Sequence, residues 1–182
     1  MEDKRIKELY RALERLGQAG EVVNAYGGAE GDAQNSDGSV LMEFIEYIDE
    51  HYPGEKPAWM EAFCQVFMWQ YNSIYEGVAV YYTNFYGFSD SHRIAVAADF
   101  LRNSGYGDIA QQFTAGIADC GQREAGLSEK EETAAQVNAY KRYLEEKGEI
   151  AKQIDAWINW NTEPVWEFYF DILEEHKREM LK

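Results

Sequence analysis

Apolar residues recur along the chain at helical spacing, and the most apolar stretch runs from Trp59 to Phe88. Eleven of the twenty-seven aromatic residues fall within it, and its only charged residues are Glu61 and Glu76. The apolar positions form one stripe and also fill the flanking positions, so apolar atoms surround the helix axis. A helix that is apolar on every side belongs in a core. This stretch is therefore predicted to form the centre of the fold.

One straight helix cannot easily occupy the whole stretch. At about 1.5 Å per residue it would be roughly 45 Å long, which exceeds the ~41 Å diameter expected of a compact chain of this length. Asn72 and Ser73 compete with the helical backbone for hydrogen bonds, and Gly77 adds a cost in backbone entropy. The sequence predicts two buried helices with a break between Asn72 and Gly77.

Amphipathic patterns predict further helices around this centre. One begins after Asp3 and ends at Gly17, one is capped by Ser39, and the last begins after Thr162. Two shorter helices are predicted between Ser89 and Ile117. The inward positions of the three longer patterns are apolar: Ile6, Leu9, Tyr10, Leu13 and Leu16; Leu41, Phe44, Ile45 and Ile48; Val165, Phe168, Tyr169, Ile172 and Leu173.

The segment from residue 128 to residue 160 carries a capping box and an apolar stripe. Ser128 and Glu131 have the spacing at which each side chain satisfies a backbone donor of the other residue. The buried stripe that follows is predicted to be Val137, Tyr140 and Leu144, and Gly148 is predicted to separate this helix from another that ends at Trp160.

Taken together, the patterns predict an all-α fold. We expect one globular domain over residues 1–182, with about eight helices around a buried aromatic helix pair. A flexible loop rich in Gly, Asn and Asp is expected near residues 27–38. The 46% hydrophobic content is sufficient to fill one sizeable core.

The charge narrows the range of partners. The chain has 33 acidic and 17 basic residues, a formal net charge of −16, so direct binding to nucleic acid or to an anionic membrane is electrostatically unfavourable. The charged, amphipathic N-terminus is unlike a secretory signal. Cys64 and Cys120 lack any paired spacing, which favours free thiols and a cytoplasmic location.

No catalytic, cofactor-binding or metal-binding motif is recognisable. His51, His92 and His176 lie in different segments and lack the spacing of a helical metal site. Glu61 and Glu76 are the only carboxylates in the apolar stretch, and we interpret both as boundary or capping residues; the alternative is a buried functional carboxylate. We therefore expect no catalytic residues, no cofactor and no metal.

Two rows of carboxylates share helix faces because their members are three or four residues apart. Either row is interpreted as an ordinary solvated face or as a docking surface for a basic partner. Along one helix the carboxylates recur about every 6 Å, roughly half the density of phosphates on one DNA strand. The candidate acidic interaction surface comprises Glu43, Glu46 and Glu50 together with Glu163, Glu167, Asp171 and Glu174.

A second candidate site is aromatic. Tyr hydroxyl and Trp N–H groups can act as polar handles in an apolar cleft that binds a small molecule. Core packing explains the same residues equally well. The candidate pocket comprises Trp59, Trp69, Tyr71, Tyr75, Tyr81 and Tyr82.

The segment YYTNFYG at residues 81–87 is followed at a fixed distance by Ala97-Ala98, Leu101, Gly105 and Ile109-Ala110. This arrangement, over roughly residues 57–120, resembles the domain family typified by DNA mimic protein nineteen. Asn84 and Gly87 match the family pattern. Of the two glycines that the family has before them, this chain keeps only one, Gly77, and Val80 stands where the family has Gln. The resemblance implies an all-helical fold and, for the typifying member, an acidic surface that copies DNA.

The leading functional hypothesis is a non-enzymatic interaction protein that binds a basic protein, such as a DNA-binding protein, through its acidic helices. An immunity or antitoxin-type protein that shields a nuclease is a close variant. The alternative class is a small-molecule binder or enzyme that uses the aromatic pocket. The sequence leaves the oligomeric state open, and a homodimer is compatible with it.

Overall fold

Helices make up nearly all of the regular structure. The computed structural model describes residues 4–18, 37–86, 91–118, 128–160 and 162–181, and these residues contain no strand. The all-α prediction is confirmed. The helices are α1 Lys4–Gln18, α2 Asp37–His51, α3 Ala58–Tyr75, α4 Val78–Tyr81, a π-helix Tyr82–Tyr86, α5 Ser91–Asn103, α6 Gly107–Ala115, α7 Glu129–Trp160, α8 Thr162–Glu175 and α9 Lys177–Met180.

The chain groups into two compact units. The first comprises Met1–Met60 with Glu163–Lys182, and the second comprises Glu61–Thr162. The extent of the domain therefore stays a prediction. Residues 27–36 of the expected loop lie outside the described residues, as does Cys120, and α2 begins at Asp37, two residues before the predicted cap.

In the first unit, α1 is joined to both α2 and α8 through Tyr10. The Tyr10 ring makes an edge contact with Phe44 of α2 at 5.2 Å between centroids, and its hydroxyl donates a hydrogen bond to the Leu173 carbonyl at 2.9 Å. Burial raises the pKa of Tyr10 well above its ordinary value. The apolar positions predicted to face inward are buried on all three helices, apart from Leu16, whose side chain lies outside the described set.

In the second unit, the aromatic stretch breaks where the sequence indicates. α3 ends at Tyr75, Gly77 has a φ of 89°, and α4 begins at Val78. A positive φ is available to glycine at little steric cost. An Asp155 carboxylate oxygen accepts hydrogen bonds from the Ser73 hydroxyl at 2.6 Å and from the Val78 amide at 2.9 Å, which holds the two helix ends together.

α7 differs from the prediction in two respects. It is one helix of 32 residues that continues through Gly148, so the predicted separation is wrong. The predicted buried stripe is also wrong, because Val137 is 47% exposed and Leu144 is 42% exposed. Packing against α4, the π-helix and α6 turns a neighbouring face inward, with Ala139 and Tyr143 buried in its place.

The predicted start of α7 is present in modified form. The Glu131 carboxylate accepts hydrogen bonds from the Ser128 hydroxyl at 2.6 Å and from the Ser128 amide at 2.9 Å. Both bonds lower the pKa of Glu131, and the bond from the hydroxyl has the larger effect. The Ser128 hydroxyl thus bonds to the carboxylate where a full capping box would use a backbone amide.

We expect Gly148→Ala to stabilise the protein by about 0.5–1 kcal/mol, because glycine in a helix interior costs roughly that much relative to alanine. An added Cβ would lie 3.9 Å from the nearest Leu144 atoms, an ordinary contact. Urea unfolding followed by circular dichroism measures the change.

Gly77→Ala is the matched control for that substitution. It makes the same chemical change at a position with φ of 89°, so we expect it to destabilise the protein by roughly 1–2 kcal/mol. If both substitutions shifted the unfolding midpoint in the same direction, the assigned backbone conformations would be incorrect.

Among the described helices, none combines the length and the apolar character needed to cross a lipid bilayer. This agrees with the mixture of polar side chains in even the most apolar helix, α3, where Gln65, Gln70 and Asn72 are buried beside the aromatic residues.

Candidate interaction surface

The carboxylates of the candidate acidic surface are all exposed. They lie on α2 and α8 of the first unit, on the faces opposite the buried apolar positions. Each helix is held to α1 by the contacts of Tyr10. The exposed members are Glu43, Glu46 and Glu50 on α2 and Glu163, Glu167, Asp171 and Glu174 on α8.

The row on α2 is partly neutralised within the molecule. Arg5 of α1 approaches Glu50 at 2.8 Å and Glu46 at 3.4 Å, so one guanidinium serves two carboxylates. Exposed pairs of this kind contribute little to stability. They do reduce the negative potential of α2, and Glu43 is the member of this row without an ion pair among the described residues.

The row on α8 is different, because Glu163, Glu167 and Asp171 have no ion-pair partner in the part of the chain that the structure describes. At four-residue steps they follow one face for about 12 Å. Only Glu174, at the end of the row, is paired, with Lys177 at 3.3 Å. Three adjacent carboxylates on α8 are therefore available to an external cation.

Lys177 connects the end of this row to α1. Its ammonium group lies 2.7 Å from Glu14 and 5.4 Å from the centroid of the Tyr10 ring. The hydrogen bond with Glu14 raises the pKa of Lys177, and the same bond lowers the pKa of Glu14. The pair positions the start of α9 beside α1.

Three residues of the candidate aromatic pocket pack together in the second unit. The Trp69 indole donates to the Tyr82 hydroxyl at 2.9 Å, and that hydroxyl donates to the Phe113 carbonyl at 2.6 Å. Tyr81 lies edge-on to Tyr82 at 5.2 Å. Trp69, Tyr81 and Tyr82 are fully buried, so their side chains fill the core.

Burial raises the pKa of Tyr82 well above its ordinary value, and its ring also stacks on Tyr143 of α7 at 5.7 Å. The Tyr82 hydroxyl stays protonated, accepts one hydrogen bond and donates another. It is therefore suited to holding neighbouring helices in fixed positions. Tyr82 therefore joins α3, α6 and α7 through direct contacts.

The other candidate pocket residues lie elsewhere. The rings of Tyr71 and Tyr75 are in contact near the end of α3, with 4.7 Å between their centroids, and Tyr75 is 59% exposed. Trp59 belongs to the first unit and stacks on His176 at 4.1 Å with an interplanar angle of 4°. His51 stacks in a similar way on Tyr47.

Glu61 is buried, which corrects its interpretation as a boundary residue. One carboxylate oxygen accepts from Arg93 at 2.7 Å and from Gln65 at 2.8 Å, and the Gln65 carbonyl oxygen accepts from the Tyr81 hydroxyl at 2.8 Å. The four side chains form a polar chain through the apolar stretch. The i, i+4 spacing of Glu61 and Gln65 was visible in the sequence, but the approach of Arg93 from α5 was not. Glu76, by contrast, is exposed as expected.

Metal binding finds no support in the described residues, where His, Cys, Asp and Glu do not gather in groups of three or more that could hold an ion. Cys64 is buried. The described chemistry consists of packed aromatic rings, one buried polar chain and exposed carboxylates.

The chain is thus an all-helical protein with exposed carboxylate rows on two helices of one unit. Comparison with known proteins adds nothing to this description, because no family model, no curated protein and no solved structure matches the chain. The resemblance to the family of DNA mimic protein nineteen stays a prediction.

Proposed function

We propose that this protein is a non-enzymatic interaction protein that binds a basic protein partner through the acidic face of α8. The observation that carries the proposal is the row of Glu163, Glu167 and Asp171, which are exposed and lack ion-pair partners among the described residues. Exposed charges of one sign attract a partner of the opposite sign and accelerate its association.

A DNA-binding protein is the partner class that we favour. Its basic surface is built to receive a row of anions, and the net charge of −16 disfavours direct binding of nucleic acid by this chain. Carboxylates about 6 Å apart on one helix are sparser than phosphates on a DNA strand. Close imitation of DNA therefore needs a second acidic row, such as that on α2. Because Arg5 pairs with two carboxylates of the α2 row, the α8 row has the stronger negative potential.

The test is competition for DNA. A panel of purified basic DNA-binding domains of different folds is bound to fluorescent duplex DNA at low salt, and the protein is added. We expect it to release DNA from at least one domain, with release weakening as salt is raised because the attraction is screened. If no domain releases its DNA at low salt, the proposal fails.

A charge-matched pair of variants assigns the effect to α8. Glu163→Gln/Glu167→Gln/Asp171→Asn removes three charges from the row, and we expect the affinity for the partner to fall roughly tenfold or more. Glu76→Gln/Glu145→Gln/Glu146→Gln removes three exposed charges elsewhere and is expected to have a much smaller effect. Equal losses would show that net charge, and not the α8 row, governs binding.

The small-molecule alternative receives less support. It relied on an aromatic cleft, whereas Trp69, Tyr81 and Tyr82 are fully buried and engaged with one another or with neighbouring helices. The immunity-type variant uses the same acidic surface as the leading proposal, and a nuclease included in the competition panel tests it directly.

A further inference from the structure

Arg5 of α1 lies on the acidic row of α2 as an internal counter-ion. Its Nη1 atom donates a hydrogen bond to Glu50 at 2.8 Å, and its Nη2 atom donates one to Glu46 at 3.4 Å. One guanidinium group thus bridges two carboxylates that are one helical turn apart. Glu43, the third member of the row, has no ion pair among the described residues. The α2 row is therefore a surface that already holds a guanidinium group.

This bridge is not what holds α1 in place. The side chains of Arg5, Glu46 and Glu50 are 39%, 62% and 64% exposed, and exposed ion pairs contribute little to stability. The position of α1 is instead fixed by its apolar face, where Ile6 and Leu9 are buried. The guanidinium group can therefore leave the α2 row while the helix that carries it stays packed.

We propose that Arg5 masks a second docking row on α2, and that an arginine side chain of the basic partner occupies this row when it displaces Arg5. The incoming guanidinium group forms the same two hydrogen bonds, so the exchange loses neither of them. The masking rests on the proposed function, because the partner belongs to the same basic class. It assigns to α2 a role that is separate from that of α8, and it makes Arg5 an internal competitor of the partner.

The geometry of the bridge favours arginine over lysine in the partner. A guanidinium group is planar and offers several donors in a fixed fork, so it can serve two carboxylates at once, whereas an ammonium group is a compact point charge. Arginine is also common on the surfaces with which proteins contact DNA. A partner helix with arginines four residues apart presents them about 6 Å apart, which matches the spacing of Glu46 and Glu50.

The binding of a defined peptide to the full chain tests the masking. The probe is a fluorescent, alanine-rich helical peptide with arginine at every fourth position, and fluorescence anisotropy measures its affinity. We expect Arg5→Gln to bind this peptide roughly threefold to tenfold more tightly than the wild type at low salt, because the substitution uncovers two carboxylates. The gain should shrink as salt is raised.

Arg11→Gln is the matched control. It removes the same charge from the same helix, but Arg11 is exposed and has no ion pair with a carboxylate in the part of the chain that the structure describes. We expect its effect on the affinity to be less than about twofold. An unchanged helical circular dichroism spectrum shows that both variants stay folded.

Two further variants assign the gain to α2. Arg5→Gln/Glu46→Gln/Glu50→Gln should bind the peptide no more tightly than the wild type, because the uncovered carboxylates are gone. In the background of the triple variant of the α8 row, Arg5→Gln should give the same relative gain, since the two rows act separately.

The masking is refuted if Arg5→Gln binds the peptide no more tightly than Arg11→Gln. A gain that persists after Glu46→Gln and Glu50→Gln also refutes it, because the gain then comes from net charge. The two proposals fail in different ways. Loss of binding in the α8 variant without a gain in Arg5→Gln refutes the masking alone, whereas a gain in Arg5→Gln with no loss in the α8 variant refutes the role of α8 alone.

Discussion

We expect Gly116→Ala to destabilise the protein by about 3 kcal/mol or more, a large effect for the addition of one methyl group. Gly116 is buried directly beneath Tyr82, and an added Cβ would lie 2.6 Å from the tyrosine hydroxyl and closer still to two ring carbons. The Tyr82 ring cannot move aside without losing its hydrogen bonds to Trp69 and Phe113. Loss of these bonds adds about 1 kcal/mol each to the cost of overpacking.

Urea unfolding checks this prediction, and two further variants show its origin. Gly107→Ala in the same segment places a Cβ where no atom lies within 4 Å, so we expect a change within about 0.5 kcal/mol. On a Tyr82→Ala background, Gly116→Ala should cost much less than in the wild type. Additive costs in that cycle would show that the tyrosine is not the source of the effect.

The second large effect is expected at Glu61. Arg93 and Gln65 donate hydrogen bonds to the same carboxylate oxygen of Glu61. Glu61→Leu removes that acceptor from both donors in a mostly buried site. Breaking a buried ion pair on one side costs about 3–5 kcal/mol, and the 37% exposure of the Arg93 side chain reduces the expected cost to roughly 2 kcal/mol. The change in the free energy of unfolding is measured with urea.

Glu76→Leu is the control, because it changes the other carboxylate of the aromatic stretch at an exposed position. We expect it to alter stability by less than about 0.5 kcal/mol. Glu61→Leu/Arg93→Met removes both charges and should be more stable than Glu61→Leu alone. A double variant as unstable as the single one would mean that the loss of the Glu61 acceptor by Arg93 is not what destabilises the protein.

The main helices could be predicted because their signals are local. The spacing of Ile6, Leu9, Tyr10 and Leu13 determines which side of α1 is buried, and the conformational preference of Gly77 explains why the aromatic stretch breaks there. Gly148 carries the same residue-level signal and was predicted wrongly. An interior helical glycine costs only about 1 kcal/mol, which continuous packing along α7 can offset.

Features that depend on contacts distant in sequence could not be predicted. The buried position of Glu61 requires Arg93 from α5, and the buried side of α7 is chosen by the stacking of Tyr143 on Tyr82 and not by the apolar pattern. The exposure of the acidic rows followed from helical spacing, but their unequal pairing did not, because Arg5 reaches α2 from a helix about forty residues earlier in the chain.

α7 is long enough for its two halves to differ in local stability. Its second half is anchored by Ala151, Ile154 and Ile158, whereas only Ala139 and Tyr143 are buried in its first half. A helix end with few buried contacts opens and closes independently of global unfolding. The amides before Ala139 are therefore expected to exchange with solvent faster than those after Ala151, so that one continuous helix contains both a rigid segment and a segment that frays.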